Sequence, residues 1–309
     1  MASVYTLSSA IDLTAPTTNI GTTTPPAIIV STLFRSANSG NVPAVFQAFG
    51  TGAFQLQPAD STAVGGNARG ANAIDLQTLR SAATQVANGL GSFVAGANNT
   101  ASGTYSVALG VGSSATGFND IAMGNSASAT GGGAFAVGTV CIASGNGSIA
   151  LGAFTTTKGV TSLLAVGNNI DNNAGKGQTT ALGLGVITTD ATPTVLKSST
   201  AGASAANQLT LQNNSAIAFT AVLTGTITGA GNTTSFQFQG CIKRGANAAS
   251  TVLVGAITPV LISRDAGAAA WTVAVTADTT NGCLAVSVTG QAATTIRWNC
   301  SIFASEVAF

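Results

Sequence analysis

Apolar residues in this chain come in short runs, broken every few positions by Gly, Ser, Thr or Asn. Through the middle of the chain the breaks become regular. Glycines stand at Gly89, Gly96, Gly103, Gly110, Gly117, Gly124, Gly131, Gly138, Gly145, Gly152 and Gly159, eleven in succession at a spacing of seven. With 38 Gly in 309 residues, independent placement gives such a run with a probability on the order of 10⁻¹⁰. A fixed period is the mark of a repeat architecture. The period is not that of a coiled coil. Gly inside a helix costs about 1 kcal/mol against Ala, so eleven would cancel a whole domain's stability.

The unit is better read as 14 residues in two unlike halves. One half runs Val107-Ala108-Leu109-Gly110, Ile121-Ala122-Met123-Gly124, Phe135-Ala136-Val137-Gly138 and Ile149-Ala150-Leu151-Gly152. The other runs Ala101-Ser102-Gly103, Ala115-Thr116-Gly117, Ala129-Thr130-Gly131 and Ala143-Ser144-Gly145. Each half predicts a short strand closed by a Gly whose positive φ makes a corner. Side chains alternate along a strand. Ala108, Ala122, Ala136 and Ala150 therefore face one way, into a coil with room only for small groups, and their larger neighbours face outward. A monomer would leave that apolar stripe exposed, which points to three chains sharing an axis. After Gly159 the register slips by one residue and the next glycine is Gly167, so the roll is expected to end there.

Alternation resumes near the C-terminus over residues 216–227, 235–242, 251–262, 271–276, 284–289 and 294–303, separated by clusters such as Gly229-Ala230-Gly231-Asn232 and Thr280-Asn281-Gly282. Short strands so spaced predict a β-sandwich or jelly roll. The organisation read from the chain is residues 1–59 as an irregular, Pro-containing segment, 60–88 as a lead-in, and 89–167 as the β-roll. Residues 168–187 are then a connector and 188–309 the C-terminal β-domain.

Composition narrows the function. Charged residues make up 6%, the formal net charge is +1, and His is absent. Lys243-Arg244 is the one adjacent basic pair, which gives no footprint for a phosphate backbone, so no nucleic-acid partner is expected. No apolar run approaches the roughly 18 residues of a spanning helix, and no membrane insertion is expected. Residues 1–22 contain no Lys or Arg and read as no signal peptide, giving an expectation of cytoplasmic assembly. Cys141, Cys241, Cys283 and Cys300 are widely spaced, lack a CxxC and are read as buried thiols rather than metal ligands.

The SxAxG-type 14-residue unit over 89–167 resembles the head repeats of trimeric autotransporter adhesins, which implies a left-handed parallel β-roll and a homotrimer. The preceding segment, from Gly65-Gly66-Asn67-Ala68-Arg69 to Ala87-Asn88-Gly89, is similar to the entry into the roll in tail fibres of tailed phages. So is the closing module, with Thr188-Thr189-Asp190-Ala191-Thr192-Pro193, Ala270-Trp271-Thr272-Val273 and Ile296-Arg297-Trp298, to the end of such fibres. The resemblance implies a structural virion protein of a phage tail, attached to other tail proteins through its N-terminus and to a host receptor through loops of 188–309. A surface polysaccharide is one candidate receptor. Alternatives are a capsid-attached fibre or decoration protein, and a bacterial trimeric surface adhesin.

No catalytic residue, cofactor or metal is expected, and the chain is read as a non-enzyme. GxSxG, GxxxxGK[ST] and HExxH are absent from the sequence. The carboxylate pairs weighed for glycoside hydrolysis, Asp60 with Asp75 and Asp265 with Asp278, lie in no catalytic motif and read as turn caps. Trp271 and Trp298 sit in alternating strands and are expected in the core rather than on a sugar.

Overall fold

The computed structural model describes residues 51–168 and 170–309, so the virion-attachment expectation for 1–59 lies mostly outside the described residues. Eight strands stack in parallel in sequence order: Phe54–Gln55, Ile74–Leu79, Phe93–Ala97, Val107–Val111, Ile121–Asn125, Phe135–Thr139, Ile149–Ala153 and Leu164–Gly167. A residue pairs with the one a repeat later, as Val107 with Ile121 and Ala108 with Ala122. The second halves form their own parallel sheet, from Thr100–Ala101 through Ser114–Ala115 and Ser128–Ala129 to Ile142–Ala143. The chain is thus an all-β solenoid, followed by a β-sandwich.

The coil is narrow because its interior is almost entirely methyl groups. Ala101, Ala108, Ala115, Ala122, Ala129, Ala136, Ala143 and Ala150 are all fully buried. Buried polar side chains at the corners tie the rungs together, since backbone groups there have no strand partner. Ser92, Ser106 and Ser148 donate their hydroxyls to the carbonyls of Gly89, Gly103 and Gly145. At the opposite corner Asn99 Nδ2 donates to Gly110 O, Ser113 Oγ to Gly124 O, Cys141 Sγ to Gly152 O and Thr155 Oγ1 to Leu151 O.

Both ends of the coil are plugged by buried ions. Near the N-terminal end Asp75 takes the place of an interior residue, paired in register with Gln55 on one side and Val94 on the other. Its Oδ2 accepts from Arg69 Nε at 2.8 Å and from Arg80 Nη2 at 3.0 Å, with all three side chains buried. Arg80 also donates to Gln57 Oε1 and to the carbonyls of Val64, Gln77 and Gln85. At the last rung Lys158 Nζ meets Glu306 Oε2 at 2.7 Å and donates to Thr210 O, while Gln178 Nε2 donates to the same carboxylate oxygen.

The slipped register is visible at this end. Ile149 pairs with Leu164, fifteen residues on, where the rungs from Phe93 to Ile149 advance by fourteen. The Thr157 hydroxyl absorbs the extra residue by accepting from the backbone N–H groups of Ser144 and Gly145, where the preceding rungs use an alanine carbonyl. The parallel ladder then stops: Gly177–Thr188 pairs antiparallel with Leu164–Gly167.

That strand also opens the sandwich. It is followed across the sheet by Ile296–Ala308, Ser215–Ile227 and Thr233–Arg244, the last of these pairing with Val252–Leu253 and Val260–Arg264. A smaller sheet of Thr194–Val195, Leu209–Thr210, Thr272–Asp278 and Cys283–Thr289 packs over it. Leu184, Ile217, Phe238, Trp271, Leu284, Trp298 and Ile302 fill the core between them.

These elements draw the boundaries differently from the sequence reading. The expected lead-in, 60–88, contains the rung Ile74–Leu79, which escaped the glycine count because nineteen residues separate Ile74 from its partner Phe93. The expected connector, 168–187, contains most of the strand Gly177–Thr188. Val160 and Leu163 of the last coil belong to the sandwich core. The physical reason is that a solenoid's final rung presents a free strand edge and an uncovered interior, which a covering element must satisfy.

Candidate functional site

Outward side chains of the roll form two rows. One is Phe93, Val107, Ile121, Phe135, Ile149 and Leu164, and the other Ala95, Leu109, Met123, Val137, Leu151 and Val166. Pairing carries both rows on without a break. Leu164 is followed by Ala181, Phe303, Thr220 and Gln239, and Val166 by Thr179, Ser305, Ala218 and Cys241. On the sandwich this face is built of small and hydroxyl side chains, from which Phe303 projects 63% exposed. The result is one continuous apolar-to-neutral band along the molecule, facing away from both cores.

The eleven glycines that defined the repeat divide into two kinds. Gly96, Gly110, Gly124, Gly138 and Gly152 have positive φ. Gly89, Gly103, Gly117, Gly131 and Gly145 do not, which corrects the expectation that every one makes a corner by its φ. Their requirement is close stacking: a Cβ on Gly103 would fall on the carbonyl oxygen of Gly117, and one on Gly131 on that of Gly145. Gly159 has positive φ and open space around its Cβ direction, as suits the slipped turn.

A second ladder of seven runs beside the first. Residues 91, 98, 105, 112, 119, 126, 133, 140, 147 and 154 all have positive φ, two residues after each of the first ten glycines of the first ladder. Its members are Gly91, Gly112, Gly133 and Gly147 but also Asn98, Asn119, Ser126, Tyr105, Val140 and Phe154. Gly at four of these positions and Asn at two are the chemical hints of a left-handed backbone. The bulky members hide it.

The carboxylates weighed for catalysis are each engaged by their own donors. Asp60 Oδ1 accepts from the backbone of Thr62 and Gly65, and Asp75 belongs to the arginine plug. Asp265 accepts from Thr233 N, and Asp278 from the backbone of Thr280 and Asn281 and from Asn281 Nδ2. Burial pushes the Asp278 carboxyl up, but the Asn281 and Thr280 donors outweigh it and leave it below the ordinary aspartate value. Trp271 and Trp298 are buried edge to face, centroids 5.5 Å apart, with Trp298 Nε1 donating to Thr188 Oγ1. Burial raises the thiols of Cys283, to about 11, and Cys300, to about 12. Among the described residues no group of three His, Cys, Asp or Glu side chains is placed to hold a metal, and no helix is long and apolar enough to cross a membrane.

The roll is similar to the head-repeat solenoids of adhesins. The family described as YadA head domain repeat matches residues 87–113, 115–139 and 142–163, the part in which both ladders run. No curated protein matches the chain. Two solved structures are similar to it at low identity. One is the tailspike protein gp49 from Acinetobacter baumannii bacteriophage Fri1, a capsular polysaccharide depolymerase, at 13% identity and a TM-score of 0.27, covering 81% of this chain and 44% of that one. The other is the Acinetobacter phage vB_ApiP_P1 tailspike protein, at 12% identity and a TM-score of 0.17, covering 71% of this chain and 47% of that one. This chain therefore spans less than half the length of either tailspike. The first comparison corrects one expectation. A depolymerase stands among the similar structures, and the reading of this chain as a non-enzyme is withdrawn.

Proposed function

We propose that this chain is a section of a homotrimeric tail fibre or spike of a tailed phage, carried on the virion and engaging polysaccharide on the host surface. The observation that carries the trimer is the unbroken outward band from Phe93 to Phe303 and beyond, apolar along the whole roll. Three copies turning this band toward a common axis bury it, and the roll then acts as a rigid shaft. The head-repeat match supports an adhesin-like role for the shaft, and the two phage tailspikes supply the analogy for the virion. Receptor contact is assigned to loops of residues 188–309, since loops on a rigid scaffold carry binding. Residues 1–59 are assigned to contact with other tail proteins.

The reading is tested by labelling the chain on purified virions and imaging them by electron microscopy. Label on tails supports it, and label absent from virions but present on a bacterial surface replaces it with a bacterial adhesin. That second reading is favoured by the YadA-type repeats themselves. Incubating the protein with host capsule and following chain length of the polysaccharide decides whether engagement includes cleavage.

A further inference from the structure

An open cleft of about 650 Å³ lies at the edge of the sandwich, between Gly185–Ile187, Lys197–Thr200 and Arg297–Trp298. Its volume is that of an ordinary ligand pocket. The floor is fixed by a pair of backbone hydrogen bonds, Gly185 N to Lys197 O at 2.8 Å and Lys197 N to Gly185 O at 3.2 Å. Gly183 and Gly185 on the neighbouring strand place no side chain over it.

The chemistry of the lining is one-sided. It carries two cations, Lys197 and Arg297, three hydroxyls, Ser198, Ser199 and Thr200, and no carboxylate. Lys197 Nζ is held by Ala201 O at 2.6 Å. Arg297 is exposed and makes no hydrogen bond or ion pair among the described residues, in contrast to Arg69, Arg80 and Lys158, which are all buried in ion pairs. Ser198 Oγ is buried and without a hydrogen-bond partner among the described residues. An unpaired buried hydroxyl costs stability unless something supplies its partner. A second concavity, lined by Thr226, Thr228 and Thr295, meets the first at Ile187 and Arg297. A free guanidinium thus stands where two hydroxyl-bearing hollows join.

We propose that this cleft binds an acidic sugar unit of a surface polysaccharide, with Arg297 pairing its carboxylate and the Ser199 and Thr200 hydroxyls meeting its ring hydroxyls. A guanidinium takes a planar carboxylate with two parallel hydrogen bonds, and hydroxyls of either partner serve as donor or acceptor. Arg297 lies six residues along its strand from Phe303, on the same face and about 20 Å to the side of the axial band at the usual strand rise. A trimer contact confined to the band leaves the cleft uncovered. The proposal rests on the polysaccharide-engaging reading above and specifies its ligand class and residues.

The test is binding of the full-length protein to short oligomers of galacturonate and of alternating glucuronate and N-acetylglucosamine, measured by calorimetry, with neutral dextran oligomers as the control. The expected result is binding of at least one uronate oligomer, weakened by salt and at least tenfold by Arg297→Ala. Arg297→Lys keeps part of the affinity, and dextran does not bind. Arg297 is exposed, so the melting curve of Arg297→Ala stays that of the parent, which separates a lost contact from a lost fold. No binding of either uronate oligomer, equal binding of dextran, or full affinity in Arg297→Ala overturns the proposal. Binding of labelled protein to host cells separates the two readings: if Arg297→Ala still binds cells, this cleft is wrong and host engagement stands, whereas if the unaltered protein fails to bind them, the broader reading falls.

Discussion

At the residue scale, the two glycine ladders make opposite demands that substitution can tell apart. Gly103 is intolerant because of what lies above it, since any Cβ overlaps the backbone of Gly117 in the next rung. Gly112 has φ +67 with only Ser126 Oγ at 3.5 Å near its Cβ direction, and Tyr105 and Phe154 occupy equivalent backbone positions. Gly103→Ala is expected to cost about 3 kcal/mol by overpacking a rung that cannot separate. Gly112→Ala is expected to cost about 1 kcal/mol for the left-handed backbone alone. Paired chemical-denaturation curves check this, and equal losses would show that stacking does not set Gly103 apart. The thiols give a second residue-scale expectation. With Cys283 and Cys300 raised to about 11 and about 12 by burial, neither is a thiolate at pH 8 while folded. A maleimide titration should leave both unmodified until denaturant is added.

At the scale of elements, ion clusters hold the two ends of the roll. Asp75 stands at an interior position between Gln55 of the strand before it and Val94 of the next rung, and two arginines close over its carboxylate. Asp75→Asn leaves two buried guanidiniums without their counter-charge, and loss of about 3–5 kcal/mol is expected. Denaturation monitored at the N-terminal end of the roll, by hydrogen exchange of Phe93–Ala97, is the measurement. The sandwich carries an acid-sensitive turn. Asp278 titrates below the ordinary aspartate value in the fold, so its turn contributes stability that is present above about pH 4 and is lost as pH falls through the lowered value. Asp278→Asn should flatten that part of the stability curve below pH 4 and leave the curve above it parallel to the parent's.

The roll was legible because its period is carried by one residue type: eleven glycines and the alanines between them specify rung, corner and interior. The plugs were not. Arg69, Asp75 and Arg80 fall outside the repeat, and Glu306 meets Lys158 across 148 residues of sequence, so no spacing rule brings them together. The sandwich strands alternate and were readable as strands. What alternation cannot give is register, and it is register that aligns Leu164 with Ala181 and Phe303 into one band.

At the scale of the whole molecule, that band is where the proposed trimer is tested, and a charge placed on it separates the alternatives. Ile121 sits at the centre of the roll, paired to Val107 and Phe135 on either side, with its own side chain half-buried and turned away from the alanine interior. In a lone chain Ile121→Asp exchanges one partly exposed apolar group for a solvated charge, which costs well under about 1 kcal/mol. On a threefold axis the same change brings three carboxylates together in a dry interface, where repulsion and desolvation each cost several kcal/mol. The parent is expected at about 90 kDa by light scattering, three times its 30.0 kDa. Ile121→Asp should shift it toward 30.0 kDa with an unchanged β-sheet circular dichroism spectrum. A parent that runs as a monomer removes the trimer. A variant that stays at the parent's mass moves the interface off the roll, leaving the face around Phe303 as its remaining place, and Phe303→Asp then becomes the substitution that must dissociate it.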